Sequence, residues 1–372
     1  MKTKIIANYL PQYHRIPEND MWWGEGYTDW EAVKRSRSLY IGHNQPRIPQ
    51  NGYYDLSRTD TLKWQAELAK KYGIYGFGIY HYWFSSKQNL LTKPAVNLLN
   101  DSSIDIHFMF IWDNGSWKRT WSNVTPFSND WAPLYENKTQ TVEGDGLLAK
   151  LDYGFEEEWK AHFNYLLPFF KDERYIRLNG KPVFAFFNQD NDSETIVKMC
   201  EYWDKLAMQN GLNGISFIGK KKRRKPKVLE YEFTYEPEWS AWTHNSLFGR
   251  AVEKTKYTLE KKSHVVHKYS YKRAWKKIID KALRNDDLKE FDGAFVRYDD
   301  TPRRGENGRV IIGEAPELFH KYINELQEVC SKKNKEFIFL TAWNEWGEGA
   351  YLEPDTVDDC KYLDAIGSIK GN

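Results

Sequence analysis

The sequence predicts an α/β fold in which eight parallel strands close into a single (β/α)8 TIM barrel, with long loops after the first and third strands. Three observations predict it. Short apolar runs alternate with longer amphipathic stretches along the whole chain, the pattern of strands buried on both faces and joined by helices. Polar and aromatic clusters recur directly after those runs, where a barrel gathers functional groups at the carboxyl ends of its strands. A doubly wound open sheet is the competing architecture, but no Gly-x-Gly-x-x-Gly follows the first run. The 372 residues fit one barrel domain, 1–372, although length alone also allows two or three.

In chain order the predicted strands are 4–9, 75–81, 106–112, 182–188, 214–219, 229–233, 292–297 and 336–343, each rich in Ile, Phe, Tyr or Val. Helical periodicity is clearest over 59–72, 155–171, 193–210, 271–284 and 315–334. Asp192-Ser193 before Glu194, and Pro316 in the first turn of the last long helix, are start signals. Gly73, Gly211 and Gly214 fall where helices hand over to strands. The segments 10–56 and 113–153 are long for barrel loops, and their Trp22, Trp23, Trp30, Trp117, Trp121 and Trp131 favour an ordered, site-building role.

Charge is nearly balanced, 54 basic against 52 acidic residues, which argues against a nucleic-acid partner. Aromatic residues reach 16%, including 16 Trp and 24 Tyr, a surplus suited to gripping carbohydrate or to a richly packed core. Cys200, Cys330 and Cys360 are isolated, as expected of reduced thiols in a cytosolic protein. The amino-terminal apolar stretch is too short for a signal peptide, and no run approaches the ~20 apolar residues of a membrane span. A cytoplasmic location, with weak peripheral attachment to an anionic inner membrane as an option, follows. The basic run Lys220–Lys227 and the helix 271–284 raise that option. A solvated loop and an outer barrel helix packing Tyr271, Trp275, Ile278, Ile279 and Ala282 inward are the simpler readings. His264 and His267 lack surrounding carboxylates, so neither a metal nor a cofactor is expected. Nothing in the sequence sets the oligomeric state.

The densest chemistry lies at 337–354, where Phe-Ile-Phe-Leu-Thr-Ala-Trp breaks into Asn344, Glu345, Trp346, Glu348, Tyr351 and Glu353. Carboxylates among indole rings after a buried strand suit glycosidic chemistry: one carboxyl acts as acid and another as base while aromatic faces hold a sugar. The barrel argument adds other strand-end candidates for substrate binding: Tyr9 and His14, then His81, Tyr82 and Trp83, then Trp112, Asn114 and Trp117, and finally Asp299, Arg303 and Arg304.

Several of these segments together resemble the WbsX-like family, the glycoside hydrolase family 99-like proteins of bacterial surface-polysaccharide gene clusters. The resemblance is carried by Ala7-Asn-Tyr-Leu-Pro-Gln-Tyr-His14, Pro17-Glu-Asn-Asp-Met-Trp-Trp-Gly24, Gly26-Tyr-Thr-Asp-Trp30, His43-Asn-Gln-Pro46 and Tyr53-Tyr-Asp-Leu56. It continues through Tyr80-His-Tyr-Trp-Phe84, Tyr175-Ile-Arg-Leu-Asn-Gly-Lys-Pro182, Asp299-Asp-Thr-Pro-Arg-Arg-Gly305 and Ala342-Trp-Asn-Glu-Trp-Gly-Glu-Gly349. The resemblance implies the same barrel and a glycan or lipid-linked oligosaccharide as substrate. It implies that Glu345 draws the proton from a sugar 2-hydroxyl, so that this oxygen attacks the anomeric carbon, and that Glu348 protonates the leaving oxygen. Where the family commonly reads Trp-Ala-Asn-Glu-Asn-Trp, this chain has Trp112-Asp-Asn-Gly-Ser-Trp117. Gly115 and Ser116 thus replace a glutamate and an asparagine, and the glutamate of Phe-Thr-Glu-Trp becomes Asp29.

Each assignment has a structural alternative. Glu345 and Glu348 could be strand-end carboxylates paired with arginines such as Arg303. Glu353 could serve a turn before Pro354, His81 could be a buried histidine satisfied within the core, and Arg303 and Arg304 could pair with Asp299 and Asp300. A non-catalytic glycan-binding barrel and a glycosyltransferase using the same groove are the competing functions.

Overall fold

In the computed structural model, residues 2–118, 147–222, 227–242 and 265–367 are described, with isolated positions at 255, 258 and 259. Eight strands lie where the apolar runs predict them: β1 Lys4–Tyr9, β2 Gly76–Ser85, β3 His107–Trp112, β4 Lys181–Phe186, β5 Ser216–Lys220, β6 Tyr231–Phe233, β7 Glu290–Phe295 and β8 Phe337–Thr341. Every neighbouring pair is parallel. The ring closes where Lys4 to Ala7 of β1 pair with Phe337 to Leu340 of β8. This is a (β/α)8 TIM barrel.

The strands are almost continuously apolar because both faces are covered, one by the barrel interior and one by helices. Helices Thr59–Lys71, Glu156–Lys171, Ser193–Gln209, Tyr271–Arg284 and Pro316–Lys332 match the predicted periodicity. The Asp192 side chain caps its helix by accepting from the Thr195 amide at 3.4 Å. In Tyr271–Arg284 the apolar stripe is buried, Trp275 stacking on Phe295 and Tyr322. That stripe is spent on the core, which leaves none of it for a lipid surface. No helix among the described residues is long and apolar enough to cross a membrane.

The loop after β1 carries two short helices, Pro17–Trp23 and Trp30–Arg35. Trp121, Trp131 and most of the loop after β3 lie outside the described residues, as do Arg223–Pro226 of the basic run and His264. Among what is described of that run, Lys220 is the last residue of β5 and is buried, while Lys221 pairs with Glu290. The expectation of a solvated loop therefore fails at its first residue, because β5 runs one position further than its apolar pattern suggested. Two parallel strands not foreseen in the sequence, His267–Ser270 and Arg309–Ile312, form a small sheet beside β7.

Candidate active site

β8 delivers its charged residues through a tight turn. After the strand, Asn344–Glu345 pairs antiparallel with Ala350–Tyr351, and Trp346–Glu348 forms one 3-10 turn between them. The Glu345 carboxylate caps that turn by accepting from the Glu348 amide at 3.2 Å. The Asn344 side chain holds the segment against the end of β1, accepting from the Leu10 amide at 2.8 Å and donating to the Leu10 carbonyl at 3.0 Å.

Arg303 lies across this turn. Its two terminal nitrogens donate separately to Glu345 and Glu348, each at 2.9 Å, and Asp29 from the loop after β1 stands 3.6 Å away. A side chain at Gly347 would collide with the guanidinium, since a Cβ there would sit 2.5 Å from Nε, so only glycine lets Arg303 lie so close. Three carboxyl groups around one buried cation cannot all ionise cheaply. Burial raises the Glu345 carboxyl to about 8 despite Arg303, with Glu348 and Asp29 adding to the rise. Burial likewise raises Asp29 to about 6 against the pull of Arg303. Glu348 keeps 23% of its side chain exposed, whereas Glu345 keeps 6%.

The remaining strands complete a ring around this pair. Tyr13 accepts from the Trp346 amide at 3.0 Å, and the Tyr82 hydroxyl from β2 is raised by burial and then by Asp113, Glu345 and Asp29. Tyr80 shares a hydrogen bond with Tyr235, whose hydroxyl is raised by burial and then by Glu348 and Glu345. Lys220 closes the circle from β5: its ammonium sits 3.0 Å from Glu238 and 3.8 Å from the centre of the Phe187 ring. Burial lowers its pKa. Asp113, raised by burial to about 6, faces Lys220 and Lys222, and its side chain makes no hydrogen bond with the described residues. A Cβ at Gly115, where the family pattern places a glutamate, would stand 4.0 Å from Asp113 Oδ1.

The sequence candidates divide around this ring. Trp117 packs edge-on against Tyr82 at 4.9 Å and so borders the site. His81 and Trp83 alternate with Tyr82 on β2 and face the helix Glu156–Lys171 instead. His81 Nε2 lies 2.7 Å from His162 Nε2, and Trp83 stacks on the His162 ring at 4.3 Å. Burial drives the His81 pKa down to about 3. Trp112 donates to the Trp83 carbonyl at 2.9 Å within the same layer. Asn114 ties loops together, donating to Tyr153 and to the Asn188 carbonyl.

Glu353 is a buried hub. Trp346 Nε1, Tyr54 and Gln65 donate to it at 2.7, 2.6 and 2.6 Å, and Tyr9 donates to Gln65 at 2.7 Å. Burial raises Glu353 to about 7 despite those donors. Trp346 stacks on Tyr351 at 3.6 Å, so one of its faces is taken by the protein. Asp299 is held by Gln45, Thr301 and His43, and burial is outweighed there by those partners, which lower its pKa. Arg304 pairs with Asp300 at 3.1 Å. His14 is buried, and Nδ1 has no partner among the described residues. Sequence reasoning missed Tyr80, Asp113, Lys220 and Tyr235 as a set; strand parity was the available signal for Tyr80, and strand-end position for Asp113 and Lys220. No group of three or more His, Cys, Asp or Glu among the described residues is placed to hold a metal.

Comparison with known proteins gives consistent results. The model of a family described as Glycosyltransferase WbsX matches residues 5–366. Protein WxcX of Xanthomonas campestris pv. campestris (strain B100) is 27% identical over 371 residues, 98% of this chain and 49% of its own length. The chain thus spans about half the length of the curated relatives it matches. Among solved structures, a glycoside hydrolase-like protein superposes with a TM-score of 0.56 at 15% identity, covering 99% of this chain and 94% of the other. A GH99 endo-alpha-mannosidase from Bacteroides thetaiotaomicron gives 0.52 at 14% identity, covering 98% and 96%. At such identities these structures speak for the fold.

Proposed function

The chain belongs to the WbsX glycosyltransferase family, and from that premise we propose that its barrel mouth cleaves or transfers a glycosyl unit in bacterial surface-polysaccharide assembly. Pairing with Arg303 alone would also fit a structural role; the observation that carries this reading is that three carboxyl groups, Glu345, Glu348 and Asp29, share that one buried cation at the carboxyl end of β8. A carboxyl raised to about 8 is mostly protonated at neutral pH, so the reactive form is the minority one in which Glu345 is ionised, and that form is a stronger base than an ordinary carboxylate. In the proposed reaction Glu345 takes the proton of a sugar 2-hydroxyl as that oxygen bonds to the anomeric carbon. The glycosidic bond breaks, and the more exposed Glu348 gives its proton to the departing oxygen. Water or an acceptor hydroxyl then opens the 1,2-anhydro ring, passing its proton to Glu348 while Glu345 returns its own to the 2-oxygen. Arg303 orients both groups, and Asp113 and Tyr82 offer hydrogen bonds to sugar hydroxyls.

The substrate class is a glycan or lipid-linked oligosaccharide met in the cytoplasm, at the inner membrane if lipid-linked. Glycan mapping with the wild-type chain, Glu345→Gln and Glu348→Gln tests the reading. Each variant is expected to keep binding and lose about 100- to 10,000-fold in turnover. Binding by all three with no turnover by the wild type, across the producing organism's own glycans, would replace it with a non-catalytic glycan-binding barrel.

A further inference from the structure

A second cavity of about 410 Å3 opens beside the pair, between the loop at 40–47 and the small sheet next to β7. Its size falls within the range of small-molecule sites, roughly 300–1,000 Å3. It adjoins Glu348 rather than Glu345: Gly349 forms part of its wall, as does Tyr298, whose hydroxyl is raised by burial and then by Asp300 and Glu348.

Two groups in that wall have hydrogen-bonding capacity that the described residues leave unused. Arg297 is only 5% exposed; its Nη1 donates to Asp355 and Asp358, at 3.2 and 2.9 Å, while Nε has no partner among the described residues. A buried N–H without an acceptor is costly, and a ligand oxygen would relieve it. Glu314 is half-buried, and among the described residues its carboxyl meets only its own backbone N–H. Ile41 and Ile312, both exposed, add apolar surface to the same wall.

Charge decides between ligand classes. Arg47 and Arg297 both pair with Asp355 and Asp358, Lys268 lies 3.5 Å over the Tyr40 ring, and the four carboxyl groups Asp299, Glu314, Asp355 and Asp358 outnumber these three cations. An anionic ligand would also meet Glu314 and Asp299 in the wall. A sugar hydroxyl both accepts and donates, which suits one free N–H donor beside one carboxyl, and the isoleucines suit the C–H face of a ring.

We propose that this cavity binds one neutral hexopyranose residue of the glycan on its leaving-group side, with Arg297 and Glu314 reading its hydroxyls. The leaving-group placement rests on Glu348 being the acid of the proposed reaction; binding itself does not. The test is saturation-transfer NMR with D-mannose, D-glucose, D-galactose and, as the charged comparison, D-glucuronate. At least one neutral sugar should bind the wild type and Glu345→Gln alike, and bind about tenfold more weakly to Glu314→Ala and to Ile41→Arg. Ile41 is fully exposed, so its substitution leaves the fold intact. The proposal is overturned if no neutral sugar binds, if D-glucuronate binds best, or if neither wall variant weakens binding. Turnover lost in Glu345→Gln with cavity binding intact separates the two readings. Cavity binding absent with turnover intact removes this one alone.

Discussion

Two clusters at the top of the barrel look alike in composition and differ in what they face. Around β8, Glu345, Glu348, Arg303 and Asp29 turn toward the mouth, where charges remain only partly neutralised. Around β2, His81, His162, Trp83 and Trp112 seal the layer between barrel and helix, and the histidines are kept neutral by burial. Both clusters sit at strand ends rich in aromatic and titratable residues. The difference is parity: along a strand successive side chains point to opposite faces, so neighbours in sequence cannot share a site. A strand-end position therefore nominates a residue, and its register assigns it.

The sharpest way to break this comparison is to remove the cation of the first cluster. Arg303→Met leaves buried carboxylates without their partner and should cost about 3–5 kcal/mol of stability, read by urea unfolding, together with all turnover. If stability holds, the fork is not what keeps those carboxyls in place. Trp83→Ala should cost a similar ~3–5 kcal/mol by emptying the sealed layer, yet leave glycan affinity unchanged. A loss of affinity matching that of a mouth variant would place Trp83 in the site after all. Gly347→Ala is expected to cost about 1–3 kcal/mol, because the new methyl displaces the guanidinium. Activity should fall further than stability predicts.

The remaining effects are read against pH. Burial raises the Glu345 carboxyl from 4.5 to about 8, so the native state holds that proton more tightly than the unfolded chain. Its stabilising contribution is complete below the lower value and is lost as pH rises through the upper one. Glu345→Gln should flatten the stability-versus-pH curve across that window, whereas parallel curves would mean the group titrates normally. Asp29→Asn removes a like charge and should shift the corresponding limb of the kcat/KM profile to lower pH by about one unit or less.

The barrel was legible because each strand is a local event: an apolar run of the right length between helical stretches. The β8 segment was legible for the same reason, as one contiguous motif. The rest of the site depends on which residues the closed ring brings together. Asp29 reaches Arg303 from the opposite end of the chain, and Lys220 enters the mouth because β5 runs one residue beyond its apolar pattern. Reading His81, Tyr82 and Trp83 as one group overlooked alternation, which admits Tyr82 together with Tyr80. The missing glutamate at Gly115 was visible in sequence, but only the folded loop shows an Asp113 oxygen beside that position.

The Asn344 clamp on Leu10 has a consequence in time. It joins residues 334 positions apart, and the same seam carries the ladder between β1 and β8. While the chain is being synthesised, seven strands emerge before the ring can close. Glu345 and Glu348 arrive with the closing piece, just behind the strand that completes it. Closure of the hoop and assembly of its reactive pair are therefore one event, and a nascent chain stopped short of β8 has neither.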